Sequence, residues 1–298
     1  MPARTLPLDR PLDLRLTLAT LRRGPGDPTI RLGAGAVVRA TRTPHGPATL
    51  HVRHLGDRLE VEAWGPGAEI LLASAPALVG LEDDGSALRP AHPVLRDASR
   101  RLGGLRIGRT GNVMEALVPA ILEQKVTGTE AFRAWRLLVT RYGERAPGPF
   151  DLWVPPPAGR LAALPYHAFH PLGVERRRAE TIRRVAARAD RVAELATMPL
   201  SEAYRRLVTF PGVGPWTAAE VALRALGDVD AVSVGDFHLP HLVSWVLAGE
   251  PRADDARMLE LLEPYRGQRA RVVRWLEASG IRPPAYGPRL AARSIGGL

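Results

Sequence analysis

The sequence predicts an α+β protein in which a β-rich N-terminal unit precedes an all-helical region. In the first third of the chain, apolar residues alternate at strand spacing and flank a short turn signal. From about Pro93 onward, apolar residues recur at helical spacing instead. We therefore expect an α+β domain over residues 1–92, a helical region over 93–282 and a tail over 283–298.

The N-terminal domain is expected to be built from short strands followed by one helix. Extended segments are predicted at residues 12–18, where every second residue is leucine, and at 29–41, 49–54 and 58–63. Gly56-Asp57 separates the last two segments and predicts a hairpin turn between them. Residues 68–79 are predicted to be helical, with a break at Pro76.

The helical region is expected to hold about nine helices, a number that rests on pattern alone. Residues 113–142 fit two helices that are split near Thr127-Gly128-Thr129, and a Pro/Gly-rich loop follows at 146–159. Residues 176–195 fit one helix whose exposed face is arginine. Further helices are predicted at 201–210, 216–226, 237–247, 256–264 and 268–279.

Composition excludes several classes of protein. The 298 residues are 45% apolar and contain no cysteine, which excludes disulfides, a cysteine nucleophile and a cysteine-held iron–sulfur cluster. The first ten residues do not lead into an apolar signal core, and the longest apolar stretch, 70–81, contains Pro76 and is too short to span a bilayer. A soluble protein of the bacterial cytoplasm or nucleoid, without membrane contact, is expected.

The positive charge is concentrated in the C-terminal two thirds of the chain. Residues 1–95 carry 11 basic and 10 acidic groups, or +1, and the remaining 30 basic and 21 acidic groups give +9 of the total +10. An anionic partner such as nucleic acid is indicated, although many basic proteins bind none. Lys125 is the single lysine beside 40 arginines.

Residues 207–219 contain two helices joined by a tight turn. Pro211 ends the first helix, Gly212 and Gly214 permit backbone angles barred to other residues, and the second helix begins near Trp216. The turn leaves room for a phosphate, and the unpaired amides at the start of the second helix could bind it. The alternative is an ordinary glycine-containing turn between helices.

Asp236 follows the second glycine of this turn by 22 residues, after a loop over 227–235. It is expected to open the next helix, where aspartate commonly caps the first amides. A capping role and a catalytic role are compatible with each other.

Together these segments resemble the helix-hairpin-helix DNA glycosylase superfamily (HhH-GPD), and within it the 3-methyladenine DNA glycosylase II type. Phe210 to Gly214 matches the usual Leu-Pro-Gly-Val-Gly, and Asp236 stands at the distance of the catalytic aspartate of those enzymes. Segments 120–127 and 173–182 match two further segments of the family in the same order. The strand-rich first third resembles the TATA-binding-protein-like N-terminal domain of these enzymes.

The resemblance implies two helical subdomains with a cleft between them, and a monomer that excises damaged bases from double-stranded DNA with no cofactor or metal. Its catalytic residue would be Asp236, and Trp216 and Glu220 would line the base pocket. Because Trp216 stands where lyase-competent members carry lysine, the implied enzyme is monofunctional. The DNA-binding residues implied are Gly212, Val213, Gly214, Thr217, Gln124 and Lys125.

Two departures from the family pattern leave the substrate open. Glu220 stands where the alkylpurine enzymes carry an aromatic residue, and it could bind a base edge or be solvated. Lys125 stands where they carry an apolar wedge, and a Schiff base from it is disfavoured. A glycosylase for deaminated or oxidised purines and a non-catalytic DNA-binding protein are the alternatives.

Three further signals have more than one interpretation. Trp216 could stack on an extruded base or belong to the core. His238 and His241 could suggest a metal with Asp236, although exposed or phosphate-contacting histidines are more common. The arginines at 176–178 are typical of a solvated helix start, but on a DNA-binding face they would add phosphate contacts and salt sensitivity.

Overall fold

The computed structural model describes residues 2–284, so most of the predicted tail lies outside the described residues. The strands are β1 (Ala3–Pro7), β2 (Ile30–Leu32), β3 (Ala36–Thr43), β4 (Gly46–His54), β5 (Arg58–Trp64), β6 (Glu144–Arg145) and β7 (Trp153–Val154). The helices are α1 (Leu14–Leu18), α2 (Ala68–Leu78), α3 (Pro93–Arg101), α4 (Val113–Leu122), α5 (Gly128–Tyr142), α6 (Ala158–Ala163), α7 (Tyr166–Phe169), α8 (Arg176–Ala186), α9 (Ala189–Glu194), α10 (Leu200–Leu207), α11 (Pro215–Val221), α12 (Leu239–Ala248), α13 (Asp255–Leu262) and α14 (Arg269–Ala278).

The N-terminal strands form one antiparallel sheet in the order β1-β5-β4-β3-β2. The predicted hairpin is confirmed: β4 and β5 pair across a turn in which Gly56 has a φ of +74°. Alternate residues of β5 are buried, so that Leu59 and Val61 enter a core covered by α2. The other face of the sheet packs against residues around β7, which lies in the predicted loop at 146–159.

Residues 12–18 are not a strand, which corrects the prediction from their alternating leucines. The side chain of Asp13 accepts a hydrogen bond from the amide of Leu16 at 2.8 Å and starts α1. Leu14 and Leu18 point into the core beneath the sheet, while Leu16 packs against the C-terminal helices. The leucines alternate because they contact two different cores.

Helix α2 passes through Pro76 without the predicted break. A proline leaves the carbonyl four residues earlier without its helical donor. Here that carbonyl belongs to Leu72, and the Nη1 of Arg4 donates to it at 3.4 Å. The amide of Val79 still bonds to the carbonyl of Ala75, so the helix continues to its end at Leu78.

The helices after residue 92 divide between two cores, and the described residues there hold twelve α-helices. Three are the short α6, α7 and α9, of which α9 arises because the predicted helix over 176–195 is interrupted after Ala186. The central core draws on α4 to α11, and the second core draws on α3 and α12 to α14. Helix α3 therefore packs with the C-terminal helices, far from it in sequence.

Buried polar contacts join the N-terminal unit to the helices. The Nη1 of Arg271 on α14 donates to Oδ2 of Asp83 at 2.9 Å, and both side chains are almost fully buried. The same carboxylate accepts the amide of Ile107 at 2.8 Å. No helix within residues 2–284 is both long and apolar enough to cross a membrane.

Candidate active site

The turn between α10 and α11 requires glycine at only one of its two glycine positions. Gly212 has a φ of +94°, and a Cβ there would lie 2.2 Å from Oγ1 of Thr181 on α8. Gly214 has a φ of −103°, and a Cβ added to it would meet no atom within 4 Å, so its backbone is open to any residue. The expectation that both glycines supply barred angles is wrong for Gly214, which instead leaves the surface of the turn bare.

Gln124 braces this turn from the end of α4. Its Nε2 donates to the carbonyl of Gly212 at 2.9 Å and to Oγ1 of Thr217 at 2.8 Å. The side chain of Thr217 is buried, at 2% exposure, so only its amide in the first turn of α11 could contact a ligand. Val213 is also buried, and its amide bonds to the carbonyl of Phe210 at 2.9 Å.

Lys125 occupies the exposed tip of the segment between α4 and α5. Its φ of +55° is the one positive value at a non-glycine residue between positions 2 and 284. Helix α5 begins three residues later with a capping box formed by Thr127 and Glu130. Because neighbouring Gln124 is bonded to the turn, Lys125 is displayed beside it in a conformation that costs about 1–2 kcal/mol.

Asp236 is held by three hydrogen bonds at the start of α12. Its Oδ1 accepts the amides of His238 at 2.8 Å and Leu239 at 2.9 Å, and its Oδ2 accepts Nε1 of Trp216 at 3.0 Å. The aspartate therefore accepts the amides that lead into α12, but the helix begins at Leu239 with His238 as its N-cap residue rather than opening at Asp236 as expected, and the carboxylate remains partly exposed. Its orientation is fixed by the backbone on one oxygen and by α11 on the other.

Trp216 has one of the two roles that the sequence left open, since it packs against the core. Its ring packs against the central core, and it is partly exposed. The indole N–H points at Asp236. Stacking on an extruded base stays a prediction.

Glu220 lies one turn after Trp216 on α11 and is not solvated, since its side chain is 13% exposed. Its Oε2 accepts Nη1 of Arg224 at 2.6 Å, and its Oε1 accepts Oγ of Ser233 at 2.5 Å. Burial alone would lower the pKa of the Arg224 guanidinium, but the negative charges of Glu220 and Glu123 raise it.

Three residues at this site were not predicted from the sequence: Arg224, Ser233 and Asp255. The four-residue spacing of Glu220 and Arg224 on one helix was a usable signal for their pairing. The other two contacts join segments distant in sequence. Both carboxylate oxygens of Asp255 lie 3.0–3.1 Å from the amide of Gly235, beside Asp236.

An aromatic surface lies next to Asp236. Phe237 is 74% exposed, and its ring centroid lies 5.0 Å from that of His238 and 6.1 Å from that of His241. The Nδ1 of His241 accepts the amide of Ala253 at 3.2 Å. Across the described part of the chain, no three histidine, aspartate or glutamate side chains are grouped to hold a metal ion.

The arginines at the start of α8 differ from one another. Arg178 is buried and donates to the carbonyl of Leu122 and to Glu175, so it is structural and does not fit the predicted solvated start. Arg177 and Arg184 are exposed, and within residues 2–284 neither has an acidic partner at ion-pair distance. They lie four residues before and three residues after Thr181, on the helix face that contacts Gly212.

No family model matches the chain. The chain is 33% identical over 222 residues to the probable bifunctional transcriptional activator/DNA repair enzyme AlkA of Mycobacterium tuberculosis, over 69% of this chain and 43% of that protein. It is 32% identical over 180 residues to DNA-3-methyladenine glycosylase 2 of Escherichia coli, over 58% of this chain and 62% of that protein. The chain thus spans roughly half the length of these curated relatives.

The fold is similar to that of 3-methyladenine DNA-glycosylase from Archaeoglobus fulgidus, with a TM-score of 0.79. The two chains are 21% identical, and the match covers 92% of this chain and 97% of the other. The match therefore extends over the N-terminal sheet as well as the helices.

Proposed function

We propose that the chain belongs to the helix-hairpin-helix DNA glycosylase superfamily and that it is a monofunctional glycosylase that excises alkylated purines from DNA. It would hydrolyse the N-glycosidic bond and so initiate base excision repair. The observation that carries the proposal is the carboxylate of Asp236, which is oriented by Trp216 beside a hairpin suited to a phosphate backbone.

Asp236 supplies the charge that this reaction needs. When the bond between base and sugar breaks, the deoxyribose becomes oxocarbenium-like, and a fixed carboxylate stabilises that cation or activates the water that captures it. An alkylated purine is already cationic, so it departs without a strong general acid. The base must first leave the stack to reach the carboxylate.

The absence of a lysine at position 216 supports monofunctional chemistry. Trp216 uses its N–H on Asp236 and offers no amine to the sugar. The product would be an abasic site in an unbroken strand. The chain's single lysine, Lys125, lies in the segment between α4 and α5 and not on the hairpin helix α11.

Double-stranded DNA would dock on the hairpin and the adjoining basic surface. Gly214 leaves the turn bare, and the amides of Trp216 and Thr217 lie in the first turn of α11, where helices bind phosphate. Gly212, Val213 and Gln124 would shape this surface through their backbone and bracing contacts. The exposed residues that would add charge to it are Lys125, Arg177 and Arg184.

Trp216 and Glu220 would border the pocket for the extruded base. Trp216 offers a partly exposed ring for stacking. Glu220 would border the pocket without leaving a free carboxylate, because Arg224 and Ser233 occupy one oxygen each.

A second candidate function is excision of a deaminated or oxidised purine. It is favoured by Glu220, which replaces the aromatic residue expected in an alkylpurine pocket, and by Lys125, which replaces an apolar wedge. A third is damage recognition without catalysis.

One assay separates these three functions. Randomly methylated DNA is incubated with the protein and with Asp236→Asn, and free bases are quantified by chromatography. The proposal is supported if the wild-type protein releases 3-methyladenine or 7-methylguanine and Asp236→Asn does not. Release of hypoxanthine or 8-oxoguanine, without methylpurines, from matched substrates favours the second function. Duplex binding without any released base favours the third.

The same proposal extends to the organisation of the chain. The five-stranded sheet supports a TATA-binding-protein-like domain over residues 1–92, and the two helical cores support two subdomains over 93–282 with the DNA cleft between them. The enzyme would act as a monomer in the bacterial cytoplasm or nucleoid, where its substrate is.

A further inference from the structure

Helix α11 contacts the segment that carries Asp236 at two successive turns. Trp216 and Glu220 are four residues apart and so lie on the same face of the helix. Trp216 donates to Oδ2 of Asp236 at 3.0 Å, and Glu220 accepts Oγ of Ser233 at 2.5 Å. The segment 233–236 is therefore attached to α11 at both of its ends.

We propose that Glu220 is a positioning residue, which holds Ser233 and thereby sets the location of the Asp236 carboxylate. This inference rests on the proposed function, because it assigns the role of Glu220 in that reaction. It also assigns a role to Ser233, which is not part of a recognisable sequence motif.

Ser233 transmits the position of Glu220 to Asp236 directly. Its hydroxyl donates to Glu220, and its own carbonyl accepts the amide of Asp236 at 3.2 Å. One residue thus bonds to the helix through its side chain and to the reacting residue through its backbone. A shift of Ser233 moves the Asp236 backbone with it.

Arg224 keeps Glu220 in place. Its Nη1 donates to Oε2 of Glu220 at 2.6 Å, and its Nε donates to the carbonyl of Thr20 in the N-terminal unit at 2.9 Å. The guanidinium is therefore fixed from two sides. It lies in the one turn of π-helix, Ala222–Leu226, that follows α11.

The segment is also held from the opposite side. Asp255 at the start of α13 accepts the amide of Gly235, and α13 belongs to the second helical core. Loss of the Ser233 hydroxyl therefore leaves the segment attached at Gly235, which bonds to Asp255, and at Asp236, which bonds to Trp216. The expected consequence is a displaced carboxylate in a folded protein, which separates positioning from stability.

The test compares Ser233→Ala with Ser233→Thr, which keeps the hydroxyl. Ser99→Ala is the matched control, because among the residues that the structure describes its hydroxyl bonds only to the carbonyl of Arg96, within α3, at 2.9 Å. Single-turnover excision from methylated DNA, the Kd for undamaged duplex and the melting temperature are measured for each variant.

We expect Ser233→Ala to slow single-turnover excision by about tenfold or more, because small displacements of a reacting group are costly. The Kd should stay within about twofold, since no contact of the hairpin changes. Ser233→Thr should restore most of the rate. A Ser233→Ala rate equal to that of the wild type and of Ser99→Ala overturns the inference.

Hydrogen exchange gives a reading that does not depend on activity. Ser233→Ala should speed exchange at the amides of Gly235 and Asp236, while Ser99→Ala should not. Unchanged exchange at both amides overturns the inference even if the wild-type protein releases no base. Absent base release by the wild-type protein counts against the proposed function alone.

Discussion

The indole nitrogen of Trp216 lies 3.0 Å from Oδ2 of Asp236, so an aromatic residue of the hairpin helix orients the carboxylate that precedes the next helix. This hydrogen bond crosses from the central core to the start of α12, which packs in the second core. The position of the proposed reacting group thus depends on how the two cores meet.

Replacement of Trp216 by phenylalanine tests this dependence. An aromatic ring is kept against the central core, but it is smaller than the indole and Asp236 loses one donor. We expect the single-turnover excision rate to fall by about tenfold, while the free energy of unfolding falls by roughly 1–2 kcal/mol from the lost hydrogen bond and the lost packing together. A rate equal to that of the wild-type enzyme would contradict an orienting role.

Two substitutions of Asp236 separate its catalytic and capping roles. Asp236→Asn keeps an oxygen for the amides of His238 and Leu239 but turns its NH2 toward Nε1 of Trp216, so its melting temperature should fall less than that of Asp236→Ala, while excision falls at least about 100-fold. Asp236→Ala should lose the same activity and also about 1 kcal/mol of stability. The check is base release beside thermal unfolding. Equal melting temperatures for the two variants would argue against the cap.

The two glycines of the hairpin turn should respond differently to alanine. Gly212→Ala meets both the positive φ and Thr181, so it should lower the free energy of unfolding by more than about 1 kcal/mol. Gly214→Ala has an allowed backbone and open space, so its stability should be unchanged. Its new methyl group covers the phosphate-binding surface, however, and duplex affinity should fall. Unfolding and binding measurements on both variants check this, and unfolding that is equally destabilised in both would refute it.

Salt dependence tests the basic surface beside the hairpin. The slope of log K against log salt is negative, and each phosphate contact that is lost reduces its magnitude by about 0.9. We expect Arg177→Ala and Arg184→Ala each to reduce this magnitude by about that amount on undamaged duplex, in an Asp236→Asn background that prevents turnover. Arg15→Ala, an exposed arginine on α1, is the control and should leave the slope unchanged. A slope that changes equally in all three variants would point to net charge alone.

Replacement of Lys125 by glycine should preserve the folded state but weaken DNA binding. Glycine adopts a φ of +55° without the steric cost that lysine has, so Lys125→Gly should stabilise the protein by up to about 1 kcal/mol. Duplex affinity should fall because the exposed ammonium is lost. Thermal unfolding and a binding titration check the two effects, and a lower melting temperature would contradict the conformational argument.

Local signals made several features predictable from sequence. The turn at Gly56 specified the β4–β5 hairpin, and Pro211 and Gly212 specified the turn between α10 and α11. The contact between Trp216 and Asp236 was not predicted. Residues 12–18 were misassigned because alternating leucines imply one core, whereas Leu16 faces a different core from Leu14. Ser233 and Asp255 could not be found this way, since their partners lie in other segments of the chain.

The buried pair of Asp83 and Arg271 limits how this protein can be divided. A fragment that begins at residue 93 would retain the Arg271 guanidinium without its carboxylate, and the amide of Ile107 would lose the same acceptor. Arg224 would lose the carbonyl of Thr20 in the same fragment. The N-terminal unit therefore cannot simply be exchanged for that of a relative. A chimaera would have to keep both partners of each of these two contacts.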